Sequence, residues 1–233
     1  KNFSNLAHSL FPEEIAYTHK KTNVRSIFYM RKGEQTRAAI VEAALEIAST
    51  QGLEGLTIGS IAEKMTMSKS GVFAHFGSRE ELQIAVLQEY ETQFINAVLF
   101  PCLKEPRGLP RLRAIFMRWL DRIGKEIDSG CIYISGATEY DDRPGAVRDV
   151  LVKMHRDWQK EMHRATAQAI EENHLPANQA HADQLVFEMV GLILAAHQQG
   201  RLMGDSSSVK RASQGFERMI QHYQQTQSEI LSQ

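Results

Sequence analysis

Cysteine is nearly absent. Two of them, Cys102 and Cys131, in 233 residues cannot build a disulfide framework, so a reducing cytoplasmic setting is expected. Long apolar runs are missing too. Val98-Leu99-Phe100 and Leu192-Ile193-Leu194-Ala195-Ala196 are among the longest, far below the roughly 20 residues of a membrane span, so no membrane partner is expected. There is no CxxC and no HxxxH pair, which argues against a metal site despite 9 histidines. Neither a phosphate-cradling glycine loop nor an ordered Ser/His/Asp set is evident, so the chain does not read as an enzyme and no cofactor is expected. Glycine (15) and proline (6) are few, and alternating β-branched residues are scarce. That leaves little to build a sheet from.

A strong charge of one sign is also lacking: the formal net charge is −1. The average hides an asymmetry. Residues 1–79 carry 10 Lys+Arg against 7 Asp+Glu, a balance of +3, while 80–233 carry 17 against 21, a balance of −4. A small basic module on a larger acidic body fits a DNA-facing unit.

Three domains are expected. Residues 1–29 lack a sustained period and do not have the layout of a signal peptide. Met30-Arg31-Lys32-Gly33 reads like a translation start, so 1–29 is taken as an extension. The alternative is an arm whose Lys20, Lys21, Arg25, Arg31 and Lys32 touch phosphates or a minor groove. Residues 30–79 form a helix-turn-helix unit and 80–233 a larger body.

Period-3.6 patterns dominate what is there. A first helix over 35–51 carries the stripe Ile40, Val41, Ala44, Leu45, Ile47 and Ala48, ended by Gly52. Thr57 caps a second helix to Lys64 or Met65, and Ser68 a third to His75 or Phe76, broken by Gly77. Ser78-Arg79-Glu80-Glu81 has the form of a capping box and opens a fourth helix expected to reach about Leu103. Further helices are expected over 109–129, 131–140, about 145–173, 178–203 and 206–225. The fold class is therefore all-α.

Three short helices with the tight turn Thr66-Met67-Ser68 describe a helix-turn-helix. Ala62 permits close crossing, and Ile58, Ile61, Met65, Val72 and Phe76 supply apolar contacts. Lys69, Ser70, Gly71, Ala74 and His75 then face outward, and a helix start attracts phosphate.

The stretch Thr57-Ile58 … Ile61-Ala62 … Ser68-Lys69-Ser70-Gly71-Val72-Phe73-Ala74-His75-Phe76-Gly77-Ser78-Arg79-Glu80-Glu81-Leu82 resembles the tetracycline-repressor family over residues 35–82. The resemblance implies that Thr57 and Ser68 cap helices and meet phosphates. It places Lys69, Ser70 and Gly71 nearest base edges, and His75, Ser78 and Arg79 on the backbone of a double-stranded operator. Three residues depart from the pattern: Thr66 for a turn glycine, Phe73 for a tyrosine that would bind phosphate, and Gly71 for threonine or serine. Residues 130–149, with Glu139-Tyr140-Asp141-Asp142-Arg143-Pro144-Gly145, resemble a recurring form of the family's C-terminal domain.

The family implies a homodimer, expected through 178–225. Leu185, Met189, Leu192, Ile193 and Ala196, with Phe216, Met219, Ile220 and Tyr223, read as the face, and plain core is the alternative. A small-molecule inducer of unknown identity is expected in an apolar pocket between Phe94 and Phe187. Its candidate walls are Phe116, Trp119, Tyr133, Tyr140, Met154, His155, Trp158 and Met162, and its candidate anchors include His155, His197, Gln159, Tyr133 and Glu139. The whole reads as a ligand-responsive regulator, most simply a repressor. A dimeric small-molecule binder whose first domain is only structural is the competing reading.

Overall fold

The computed structural model describes residues 32–231. The expected extension or arm at 1–29, with Lys20, Lys21 and Arg25, lies outside them, as does Arg31. The chain divides into two compact units, Lys1–Ile40 and Val41–Gln233. Of the first, residues 32–40 are described, as the opening turns of helix α1 (Lys32–Gly55). The second holds everything that follows.

Among the described residues there are nine α-helices, one 3-10 helix and no strand. After α1 come α2 (Ile58–Lys64), α3 (Lys69–Phe76), α4 (Arg79–Val98) and α5 (Leu109–Ser129). Then follow α6 (Ile132–Tyr140), α7 (Ala146–Glu171), α8 (Gln179–Arg201) and α9 (Ser208–Leu231). No described helix is long and apolar enough to cross a membrane.

The small helices are set by their ends. Gly52 adopts φ 77, ψ 169, which breaks α1 where the sequence places its stop. Thr57 caps α2, and the reciprocal box forms here: Thr57 Oγ1 accepts the Ser60 N–H (2.9 Å) and Ser60 Oγ accepts the Thr57 N–H (3.0 Å). Ser68 Oγ accepts the Gly71 N–H at the start of α3, and Gly77 closes it in the left-handed conformation. At α4, Ser78 Oγ accepts the Glu81 N–H (3.0 Å); the full box expected at Ser78 and Glu81 is the one found at Thr57 and Ser60. Ile61, Ala62, Val72 and Phe76 are buried where α2 crosses α3, while Ile58 and Met65 are half-buried.

The fourth helix is shorter than the pattern suggests. It ends at Val98, and Phe100–Lys104 continues as a 3-10 helix. Pro101 has no N–H to donate, so the α-helical ladder cannot pass it.

Thr66 turns the chain between α2 and α3 at φ 53. A β-branched residue in the left-handed region costs roughly 1–2 kcal/mol. Glycine relieves that strain but adds freedom to the unfolded chain, about 0.4–1 kcal/mol. Thr66→Gly is therefore expected to stabilise the protein by up to about 1 kcal/mol. A higher urea midpoint at unchanged m-value is the expected reading; a lower midpoint would contradict it.

The body packs α5 against α7, α8 and α9, and α4 against α7. Trp119, Phe116, Leu112, Ile115 and Phe216 are among its most buried side chains.

Candidate nucleic-acid interface

The starts of α2 and α3 converge. A Cβ placed on Gly59 would lie 3.6 Å from Thr57 Oγ1, 3.5 Å from Lys69 Cε and 3.9 Å from Lys69 Nζ. The Thr57 hydroxyl and the Lys69 ammonium therefore share one patch. Beside it, the Ser68 and Ser70 hydroxyls lie 3.1 Å apart. Lys69, Ser70, Phe73 and Ala74 are exposed, and Gly71 and His75 half-buried, while Val72 and Phe76 of the same helix are buried. Helix α3 thus presents one polar and glycine-containing face and sinks the other. A cation, hydroxyls and capped helix starts on one surface can bind phosphate oxygens and reach base edges. A Cβ at Gly71 would stand 3.1 Å from Ser68 Oγ, so a bulkier residue presses on the cap.

His75 and Ser78 flank this face, both half-buried. Arg79 does not join it. Its Nε donates to the Leu56 carbonyl (2.8 Å), and its Nη2 to the Glu54 carbonyl (2.5 Å). Nη2 also lies 3.3 Å from the Glu54 carboxylate. These contacts turn Nε and Nη2 toward the Glu54–Leu56 stretch on a side chain that stays 40% exposed.

In the body, most of the residues expected to line a pocket pack on one another. Phe94 meets Trp158 edge-on at 4.8 Å between centroids and stacks with Tyr133 at 5.9 Å; Trp119 and Trp158 cross at 5.2 Å. His155 stacks on Tyr133 at 3.8 Å, and burial depresses its basicity. Met154 and Met162 are buried. Phe116 is elsewhere, stacked on Phe216 at 4.1 Å. Tyr140 turns its hydroxyl to Glu54 (2.6 Å). Phe187, placed by sequence at the edge of this stretch, is 73% exposed.

A groove of about 1070 Å³ lies instead between the end of α5, α6 and α8. Of the expected ligand residues, His197 and Glu139 line it, joined by Ile134, Leu194, Arg201 and Leu202 among others. These last four are not among the residues the sequence pattern suggests. The signal is the pair of exposed leucines, Leu194 on α8 and Leu202 at its C-cap, that the core does not use.

Next to the groove is a buried polar network that the sequence did not announce. The Tyr90 hydroxyl donates to the Glu126 carboxylate (3.0 Å), and Arg122 Nε donates to the same group (2.7 Å). Burial, together with the charge of Glu126, pushes the Cys131 thiol up to about 12. Cys102 is buried and shifted the same way, chiefly by burial. Neither has the thiolate character a redox pair needs.

The expected dimer stripe is largely internal. Leu185, Met189, Ile193 and Ala196, with Phe216, Ile220 and Tyr223, are buried within the protomer, and Leu192 and Met219 are half-buried. They close α8 against α5 and α9. The face of α8 left open carries Phe187, Gly191 and Leu194 instead, with Leu202 beyond it at the C-cap.

Two family models match this architecture. Residues 40–86 match the model described as bacterial regulatory proteins of the tetR family. Residues 108–216 match the tetracyclin repressor-like C-terminal domain. The chain belongs to the tetracycline-repressor family. Among curated relatives of this family, the HTH-type transcriptional regulator SrpR of Pseudomonas putida is 26% identical over 151 residues, 63% of this chain and 67% of that protein. The regulator TcmR of Streptomyces glaucescens is 32% identical over 68 residues, 29% of this chain and 30% of that protein. Solved structures share the fold. A TetR-family regulator from Streptomyces coelicolor superposes at TM-score 0.72, with 16% identity, covering 89% of this chain and 98% of that one. One from Cytophaga hutchinsonii gives 0.70, with 18% identity, covering 83% and 97%. AibR, solved with isovaleryl coenzyme A and operator DNA, gives 0.62 at 20% identity, covering 81% and 98%.

Two of the residues that depart from the resemblance stand at exposed or strained points. Phe73, 54% exposed, offers a ring without the hydroxyl that the family pattern implies there. Thr66 takes the positive φ of a turn glycine.

Proposed function

We propose that the protein is a ligand-responsive DNA-binding transcriptional regulator, a repressor released from a palindromic operator by a small molecule. The observation that carries this is α3. Its caps are formed, Val72 and Phe76 anchor it, and Lys69, Ser70 and Phe73 are left outward with no task in the core. Dimerisation through the open face of α8, with α9, would set two such helices ~34–36 Å apart for successive major grooves. The ligand site in this reading is the groove between the end of α5 and α6, where Ile127 and Ile134 stand among polar groups such as Asp128, Glu139 and His197, and whose α8 wall borders the face given to the partner. The complex of AibR with an acyl coenzyme A and operator DNA supports the pairing of the two functions on this fold. Catalysis has no part in this reading, and the cytoplasm is its natural setting.

Selection from a random duplex pool tests it. The full chain is expected to enrich an inverted repeat. Lys69→Ala should weaken binding by ~1–3 kcal/mol at one base position, or evenly across sequences if Lys69 meets phosphate. Enrichment of no duplex at low salt would leave the helix-turn-helix a structural unit only.

A further inference from the structure

Among the described residues five large apolar side chains stand exposed. Phe187, Leu194, Leu202 and Met203 lie on α8 or just beyond it, and the fifth is Phe73 on α3. A single exposed ring elsewhere on a surface needs no account. Phe73 needs one because of what surrounds it. Four residues of α3 are exposed: Lys69 and Ser70 in its first turn, Phe73 and Ala74 in its second. Residues four apart are neighbours on a helix surface, so Phe73 follows Lys69 and Ala74 follows Ser70 along the same face. That face is split along its length into a cationic, hydroxyl-bearing half and an apolar half.

The backbone that carries the ring is fixed. Val72 and Phe76 sink the opposite side of α3 into the core. The Phe73 carbonyl accepts the Gly77 N–H (2.7 Å), the bond that closes the helix. The apolar half is thus set before any DNA arrives, which lowers the ordering cost of binding.

A phenyl ring has no hydrogen-bonding group to offer a phosphate oxygen or the polar edge of a base. One group in the major groove matches it: the C5-methyl of thymine, which sets a T·A pair apart from the other unmodified pairs. We propose that Phe73, with the Ala74 methyl beside it, reads a thymine methyl in each operator half-site. This rests on the regulator reading above. A helix rises about 1.5 Å per residue, which puts Phe73 about 6 Å along α3 from Lys69, close to two base-pair steps of about 3.4 Å. The thymine therefore lies within about two base pairs of the Lys69 contact.

Exchanging thymine for uracil in the selected inverted repeat removes the methyl and no hydrogen-bonding group. The exchange is made one position at a time, in both halves. At the position facing Phe73 it is expected to weaken binding by the wild-type chain about fourfold per half-site, the worth of one buried methyl. Phe73→Ala is expected to bind the thymine and uracil duplexes equally at that position. Its urea midpoint should not fall, since the ring takes no part in the core, and its salt slope should match the wild type, since no charge is lost. With 5-methylcytosine at that position the wild-type chain should bind more tightly than with cytosine, and Phe73→Ala should not. Equal binding of the thymine and uracil duplexes by the wild-type chain at every position overturns the proposal. A uracil penalty that survives unchanged in Phe73→Ala at every position overturns it as well. A chain that enriches no duplex at all overturns the regulator reading, and the proposal with it.

Discussion

Glu126→Ala is expected to cost about 3–5 kcal/mol of folding stability, the loss typical of breaking a buried ion pair from one side. Glu126 and its partner Arg122 are only 10% and 18% exposed at their side chains. Removing the carboxylate strands the Arg122 guanidinium and leaves the Tyr90 hydroxyl without its acceptor. The guanidinium lies over the Tyr90 ring at 5.0 Å, so it cannot swing to water without giving up that contact as well. Glu126→Gln keeps an acceptor for Tyr90 and should cost less. The double variant Arg122→Met with Glu126→Leu should cost less than Glu126→Ala, because it strands no charge. Urea unfolding of the three variants checks the order. A loss below about 1 kcal/mol for Glu126→Ala, the scale of a surface pair, would show that the site is wetter than its burial implies.

Two substitutions on α8 and one on α9 should separate the subunit face from the core. Phe187 is 73% exposed, and a Cβ on Gly191 would meet nothing within 4 Å. Phe187→Glu with Gly191→Glu should therefore leave the protomer folded while placing charges across the open face of α8. The expected result is a monomer by light scattering. Operator affinity should fall about 10²–10⁴-fold, because the second half-site loses its tether to the first. Phe216 behaves differently: it is fully buried and stacked on Phe116. Phe216→Ala should cost about 3–5 kcal/mol of stability, as a large core deletion does. A folded double α8 variant that remains dimeric would move the interface to another face.

This contrast shows what the sequence could and could not carry. The helix-turn-helix was legible because its signals are local. Thr57, Ser68 and Gly77 each act within three or four residues, and each does so in the structure. The reciprocal capping box expected at Ser78, the start of α4, forms instead at Thr57, two helices earlier. Helix α8 was harder. It is apolar on two sides, so its period identifies apolar residues without saying which side meets the protomer and which is left open. Leu185, Met189 and Ile193 went inward, and Phe187 and Leu194 outward. The aromatic residues between Phe94 and Trp158 posed a similar ambiguity, since rings that line a cavity and rings that fill one have the same composition. The Glu54 N–H donates to Glu139 Oε2 across 85 positions, and no local pattern joins them. The acceptors of Arg79, at Leu56 and Glu54, likewise lie 23 and 25 positions away and carry no local pattern.

Whether α3 reads DNA is decided by the salt dependence of binding to the selected inverted repeat. Log K is expected to fall linearly with log salt concentration, with a slope of about −0.9 for each phosphate neutralised. Losing a phosphate-bound Lys69 should lower the steepness of that slope by about 1. A chain that binds no duplex at low salt, or whose affinity ignores salt altogether, would contradict a DNA-reading α3.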